Sequence, residues 1–417
     1  MSMAHGPDTD VVVVGAGPVG LLLAGELRLA GVRVTVLEQL TEPTTESRAS
    51  TLHTRTMEIL AERGVLERLG TLPSGGPGHF GGMPLDLSAA APGHRYAGQW
   101  KCPQARLEAV LYDWATELGA QVRRGHVVTG LRSRADRVEV GFIELGSKPS
   151  VLTASYLVGC DGERSTVRQL AGFEVDGEEA TLEMLRADLA GIDVPNRRFE
   201  RHPQGLATAF RWPDGTTRVM VHVHGSRPGR RTGAPDLAEV VAAWARVTGE
   251  DISAGTPVWL DAFDNTGLQA TRYVKDRVLL AGDAAHVQMP VGGQALNLGL
   301  QDAADLGRKL AEQVAGATGS SAGAGAGGAG PLDSYHDTRH RIGAATLTNI
   351  QAQARLLLGG PEVDGLRSVF GELLEIGSAR SHLARAISGL GPSEPGPPHH
   401  GTRRNPPAPD VTSGEAP

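Results

Sequence analysis

Three short stretches, far apart in the chain, carry residue types able to hold one dinucleotide. The first is Val11-Val12-Val13-Val14-Gly15-Ala16-Gly17-Pro18-Val19-Gly20, an apolar strand breaking into G-x-G-x-x-G. In the turn Gly15, Gly17, Pro18 and Gly20, the glycines let backbone N–H groups and a helix N-terminus approach a pyrophosphate. An apolar helical run from Leu21 to Ala30 follows, Gly31 closes it, and a second strand from Val32 to Leu37 ends in Glu38. An acid at that spacing is placed to hold a ribose hydroxyl. The other two stretches are Cys160-Asp161-Gly162 and Leu279-Leu280-Ala281-Gly282-Asp283-Ala284-Ala285-His286. A nicotinamide dehydrogenase needs only the first.

The elements that must position these stretches read as interleaved domains. At 417 residues the chain exceeds what one core usually supports, so two domains are expected. The nucleotide domain is expected over 10–72, 99–172 and 264–315. It includes a helix over 54–69, an apolar helix over 104–118, and strands near 121–124, 136–144 and 151–159. From 173 to 263 the pattern changes to short alternating runs, the mark of a half-buried antiparallel sheet. With 73–98 these form a second domain, carrying a helix near Leu237 to Val247. The glycine-rich segment 316–331 reads as a flexible loop, 332–390 as C-terminal helices, and 391–417 as a disordered Pro- and Gly-rich tail.

Composition excludes several classes. A net charge of −7 and a pI near 6.1 give no electrostatic footprint for nucleic acid. No apolar run is long enough to span a bilayer and no signal-peptide pattern opens the chain, so a cytoplasmic protein is expected. Cys102 and Cys160 are the only cysteines and read as packed thiols. No metal site is expected, and the adjacent His399 and His400 read as tail residues.

Residues 155–168, Ser-Tyr-Leu-Val-Gly-Cys-Asp-Gly-Glu-Arg-Ser-Thr-Val-Arg, and residues 277–302, which run from R-V-L-L-A-G-D-A-A-H through P-x-G-G-Q to L-N-x-G-L-Q-D-A, resemble the single-component FAD-dependent aromatic hydroxylases of the para-hydroxybenzoate hydroxylase type. The subgroup acting on polycyclic aromatic polyketides is the nearest resemblance, over about residues 10 to 390. It implies an α/β fold in which a Rossmann-like FAD domain is interleaved with an antiparallel-sheet substrate domain, followed by helices. Many relatives carry a thioredoxin-like third domain after them, and no such domain is expected here. The resemblance also implies FAD as cofactor, NADPH or NADH as transient co-substrate, O₂, and an oxygen transfer through the flavin C4a-hydroperoxide to a small aromatic molecule.

Carried over residue by residue, the resemblance assigns Gly282 and Asp283 to the FAD ribitol region. It gives Asp161 and Gly162 to the second FAD motif, Arg48 and Gln104 to further FAD contacts, and Val128 to the adenine. Pro290, Gly292 and Gly293 would lie along the flavin ring where oxygen reacts. Ala295, Leu296 and Asn297 would open the helix whose positive end faces the flavin pyrimidine. Arg48, Arg55 and Arg164 are candidates for the nicotinamide phosphates. The chain departs from the family pattern at Ala295, where glycine is usual, so that either its φ is negative or the turn is shifted. It departs again at Gln288-Met289-Pro290, Arg308-Lys309 and Gly267-Leu268-Gln269-Ala270. These changes leave open hydroxylation, a Baeyer–Villiger or ring-opening oxygenation, and a non-catalytic FAD-binding partner of another oxygenase. Tyr96, Trp100, Phe210, Trp212, Met220, His222 and His224 are candidate substrate contacts.

Overall fold

The computed structural model describes residues 7–44, 49–144, 146–228, 231, 233–318 and 330–391. Arg48, most of the glycine-rich segment 316–331, and the tail with His399 and His400 lie outside them.

The chain opens with β1 (Thr9–Val14), α1 (Pro18–Leu29) and β2 (Val34–Glu38). The valine run of β1 has no polar face because both faces are covered, and Val11, Val12 and Val13 are fully buried. β3 (Thr51–His53) leads into α2 (Thr54–Glu62) and α3 (Val65–Leu69). The single helix expected over 54–69 is thus two, because Gly64 takes the left-handed conformation at φ 68° and breaks the hydrogen-bond ladder.

The hairpin β4 (Gly78–Phe80) and β5 (Met83–Leu85) precedes β6 (Gln99–Lys101), which pairs with β3. Next come α4 (Gln104–Glu117), β7 (Gln121–Arg124), β8 (His126–Ser133), β9 (Val138–Glu144), β10 (Ser150–Gly159) and α5 (Thr166–Leu170). β8 was not among the expected strands. It follows β7 after Gly125, whose φ of 73° turns the chain sharply, and then pairs with β9.

After β11 (Val175–Glu178) the chain builds β12 (Glu183–Ala190), β13 (Arg197–His202), β14 (Gly205–Arg211) and β15 (Thr217–Val223). Then follow α6 (Leu237–Thr248), β16 (Thr256–Asp264), β17 (Gly267–Ala270), β18 (Val274–Lys275), β19 (Val278–Leu280) and β20 (His286–Val287). The C-terminal part is helical: α7 (Gln294–Thr318), α8 (Pro331–Leu358), α9 (Asp364–Glu375) and α10 (Gly377–Ile387).

Two sheets organise these elements. In the first, β19, β10, β1, β2 and β7 lie side by side and parallel, with α1 packed between α4 and α7. Close helix contact is possible because α1 presents glycine where Trp114 of α4 presses in; a Cβ on Gly25 would fall 1.9 Å from that ring. In the second, β13-β14-β15-β12-β16 form the expected antiparallel sheet. One face of it carries Leu185, Ala187, Ala207, Ala209, Val219 and Val221 against Val240 and Trp244 of α6. The alternation of period two turns the intervening residues to the opposite face. There Met184, Leu206 and Met220 pack with Met289 and Val291 of the loop before α7 and with Ile350, Ala354 and Leu357 of α8. None of the described helices is long and apolar enough to cross a membrane.

Candidate active site

The three sequence stretches meet at the carboxyl ends of β1, β10 and β19. Cys160 N–H donates to the Val14 carbonyl at 2.8 Å, and Ala281 N–H donates to the Gly159 carbonyl at 3.0 Å. The first stretch touches the second at Gly15, where a Cβ would lie 2.4 Å from the Cys160 oxygen, and the third at Val19, whose side chain fills the space beside Gly282 and Gly299. Arg168 of α5 adds a brace, donating through Nη1 to the Ala284 carbonyl at 2.9 Å. The convergence is built from backbone-to-backbone contact, which only glycine permits at Gly15.

This arrangement fits FAD. Gly17 caps α1 with no side chain on its free N–H groups, and the space a Cβ would enter there is open for 4 Å. An unfilled helix N-terminus of this kind binds a pyrophosphate. Glu38 stands beside it at the end of β2, accepting the Ala16 N–H at 2.7 Å and the Leu40 N–H at 2.8 Å. Asp283 is exposed on the turn that follows β19. Val128 is buried in β8, and Gln104 begins α4.

Asp161 has a local structural task. Its carboxylate accepts the Val167 N–H of α5 at 3.0 Å and the Ser165 hydroxyl at 2.5 Å, which holds Ser165 as the N-cap that accepts the Arg168 N–H at 2.9 Å. Burial raises its pKa from the ordinary value, opposed by these hydrogen bonds. Burial also pushes both thiols up, Cys102 to about 11 and Cys160 well above the ordinary thiol value. Neither thiol of the native protein is therefore expected to react measurably with a disulfide reagent at pH 8, while the unfolded chain releases both; rapid labelling of native protein would contradict these environments.

The second part of the site is the loop entering α7. Gly292 and Gly293 both sit in the left-handed region, at φ 68° and 69°. Helix α7 then starts at Gln294, and Ala295 lies inside it without a positive φ, so the departure from glycine is absorbed by the helix. Asn297 is only 2% exposed, and its side-chain amide is fully engaged. It donates to the carbonyls of Thr51 at 2.9 Å and Gly293 at 2.7 Å, and it accepts the His53 N–H at 2.8 Å. The Asn297 side chain thus clamps the loop onto β3. Leu296 packs partly buried against the nucleotide-side core, while Pro290 is exposed.

Behind this loop lies a buried triad absent from the sequence reading. Asp302 of α7 accepts His286 Nε2 at 2.6 Å, Arg339 Nε of α8 at 2.6 Å and the Gly282 N–H at 3.0 Å. All three side chains are at most 1% exposed in relative terms. The signal was present in the H of G-D-A-A-H and the D of L-Q-D-A, yet Arg339 lies on a helix that carries no motif.

The seven candidate substrate contacts do not form one wall. Met220 does reach the loop entering α7, packing with Met289 and Val291. Tyr96 and Trp100 pack instead against the nucleotide-side core. Phe210 is 48% exposed at one end of the sheet, edge-on to Trp212. His222 is buried with its Nδ1 2.7 Å from the Glu183 carbonyl, and His224 follows beside it near the end of α8. Desolvation keeps both imidazoles below the usual histidine range.

What the sequence reading missed on that sheet face is a ladder of cations and aromatic rings. Arg186 pairs with Asp261 and lies over Trp259 at 4.4 Å and Phe263 at 5.2 Å. Arg218 chelates Asp188 at 2.7 Å through two nitrogens and lies over Trp212 and Trp259, each at 5.2 Å. The strand alternation alone places these residues on the Met220 face.

Residues 8–350 match the family described as FAD binding domain. The chain is 40% identical over 399 residues to rifampicin monooxygenase of Streptomyces venezuelae, which covers 91% of this chain and 78% of that protein. It is also 40% identical over 396 residues to 12-dehydrotetracycline 5-monooxygenase/anhydrotetracycline 6-monooxygenase of Streptomyces rimosus subsp. rimosus, covering 91% of this chain and 76% of that one. Among solved structures, CabE, an aromatic hydroxylase from angucycline biosynthesis, superposes with a TM-score of 0.85 at 45% identity, covering 92% of this chain and 76% of that one.

Proposed function

Because the chain belongs to the FAD binding domain family, and within it to the FAD-dependent aromatic hydroxylases, we propose that it is an NAD(P)H- and O₂-using monooxygenase that hydroxylates a polycyclic aromatic polyketide-type substrate. The observation that carries this reading is the meeting of the three stretches at the carboxyl ends of β1, β10 and β19, beside an open helix N-terminus and Glu38. FAD bound there supplies the redox and oxygen chemistry. Gly15, Gly17, Pro18 and Gly20 hold its pyrophosphate, Glu38 a ribose, and Asp283 with Gly282 the ribitol. Gln104, Gly162 and Val128 complete the cofactor contacts, and the first N–H groups of α7 stabilise negative charge on the flavin pyrimidine.

The interleaved arrangement, with the sheet of 173–263 as the substrate domain, follows from the same reading. The substrate lies beside the seam where the Met220 face of that sheet packs on the loop before α7, and the buried Met184, Leu206, Met289 and Val291 close that side of the reacting centre to water. The nicotinamide visits the flavin transiently, with Arg48, Arg55 and Arg164 as candidates for its phosphates. The substitutions near Gly292 leave a Baeyer–Villiger outcome as the second reading of the same site.

The purified protein is expected to be yellow, and its flavin to be bleached by NADPH or NADH without oxygen, faster when an anthracycline- or angucycline-type aromatic is present. Admission of O₂ is expected to give a product heavier by one oxygen. Flavin that nicotinamide never reduces, even with such a compound bound, would replace this reading with that of a non-catalytic partner.

A further inference from the structure

Lys101 is a half-buried cation with no carboxylate partner among the described residues. Its Nζ lies 2.8 Å from Thr51 Oγ1, directly across the β3–β6 pair. Thr51 in turn lies against the flavin-side loop, because a Cβ on Gly293 would fall 3.0 Å from the Thr51 Cβ. No acidic side chain forms an ion pair with Lys101 among the described residues. The groups that face it are basic: Arg198 repels it, and His79 feels Arg198, Lys101 and His53 together. His53 is fully buried beside the Gly292 and Ile387 backbones, with neither ring nitrogen at hydrogen-bonding geometry, and both imidazoles stay neutral, pushed down to about 4.

An ammonium withdrawn from water without a counter-ion is costly, and long lysine side chains ordinarily extend to solvent instead. A second irregularity adjoins it. Phe199 holds a left-handed φ of 52° at a bulge in β13, its ring 4.3 Å from His79, and its N–H donates to Thr208 Oγ1 at 3.3 Å. Thr208 pairs with Met220 on the candidate substrate face. Bulky residues rarely adopt this conformation, and such strain and bulging cluster beside functional sites.

We propose that Lys101 is the anion-recognising residue of this site, its ammonium oriented by Thr51 toward a delocalised organic anion at the flavin-side loop. This rests on the proposed monooxygenase reading, which supplies two anions of the same chemistry: the ionised phenol of an aromatic substrate, and the reduced flavin. A cation beside a phenol favours its ionised form, which makes the ring more electron-rich at the carbon that receives oxygen.

The test uses the FAD-loaded protein, wild type beside Lys101→Met and Lys101→Arg, with alizarin, a hydroxyanthraquinone whose phenolate is coloured. Two quantities are read: the pH at which bound alizarin ionises, and the midpoint potential of the flavin without alizarin. If the anion is the substrate phenol, Lys101→Met raises the ionisation pH of bound alizarin by about one unit or more, and Lys101→Arg restores it. If the anion is the reduced flavin, Lys101→Met instead weakens binding of reduced relative to oxidised flavin by about tenfold, seen as a lower potential. Alizarin that fails to bind the wild type counts against the phenol, and the potential then decides. Flavin retained by both variants with neither quantity moved overturns the assignment. A wild type that takes up no FAD sinks the monooxygenase reading itself, and this assignment with it.

Discussion

Gly17→Ala is expected to yield a folded protein that no longer retains FAD, whereas Gly15→Ala and Gly20→Ala are expected to yield little folded protein. The three glycines of one turn do different things. Gly15 holds φ at 103°, and its added Cβ would sit 2.4 Å from the Cys160 oxygen; a Cβ on Gly20 would sit 2.0 Å from the Gly15 oxygen. Both contacts are with backbone, which cannot rotate away, so the substitution must open the β1–α1 junction. Gly17 has φ −74° and ψ 178°, a conformation open to any residue, and no atom lies within 4 Å of its Cβ direction. Its fold therefore loses no more than about 1 kcal/mol as an N-cap alanine. The empty space is nonetheless where backbone must come close to a pyrophosphate. A methyl group there is expected to weaken FAD by about 100-fold, roughly 2.7 kcal/mol. Thermal melts of apo-protein and fluorescence titration with FAD separate the two effects, and unchanged affinity in Gly17→Ala would move the cofactor away from α1.

Residue type made this turn legible in the sequence, because G-x-G-x-x-G after an apolar strand has few other uses. The same holds for the alternation over 173–263, which became the sheet of β12 to β16. Legibility failed where geometry depends on a distant partner. Asn297 was readable as part of the α7 entrance, but its amide is fixed by Thr51, 246 residues away in sequence. Lys101 carries no sequence signal of its own; the pairing of β6 with β3 is what brings its Nζ onto Thr51. The left-handed conformation of Phe199 has no sequence signature, since phenylalanine is among the residues that avoid it. The break at Gly64 was a matter of degree, a glycine that the 54–69 pattern tolerated and the fold did not.

Asp302→Asn is expected to destabilise the protein more than any other single exchange of a side chain of the same size. Asparagine keeps the shape of Asp302 but removes the negative charge beside the Arg339 guanidinium, which is 1% exposed. Breaking a buried pair from one side costs about 3–5 kcal/mol, because the remaining charge is held away from water. Removing both charges costs less, so the double variant Asp302→Asn with Arg339→Met is expected to be more stable than the single one, a non-additivity that a denaturation cycle measures directly. Burial by itself would raise the Asp302 pKa, yet Arg339 and His286 together hold it below the ordinary carboxylate value. The group therefore contributes stability above its unfolded pKa of about 3.9, and that contribution drains away as pH falls through the lower folded value. The wild type should accordingly lose part of its stability only below about pH 4, and Asp302→Asn should lack that component. Asp302 also accepts the Gly282 N–H, and His286 closes the same motif. The loss should therefore reach the cofactor: Asp302→Asn protein that still folds is expected to bind FAD more weakly than the wild type, because the amide NH2 must face either the Arg339 or the Gly282 N–H, which loosens the anchor tying the Gly282–Asp283 turn to α7 and α8. A variant within about 1 kcal/mol of wild type, with FAD affinity intact, would mean that the triad merely fills space behind the turn.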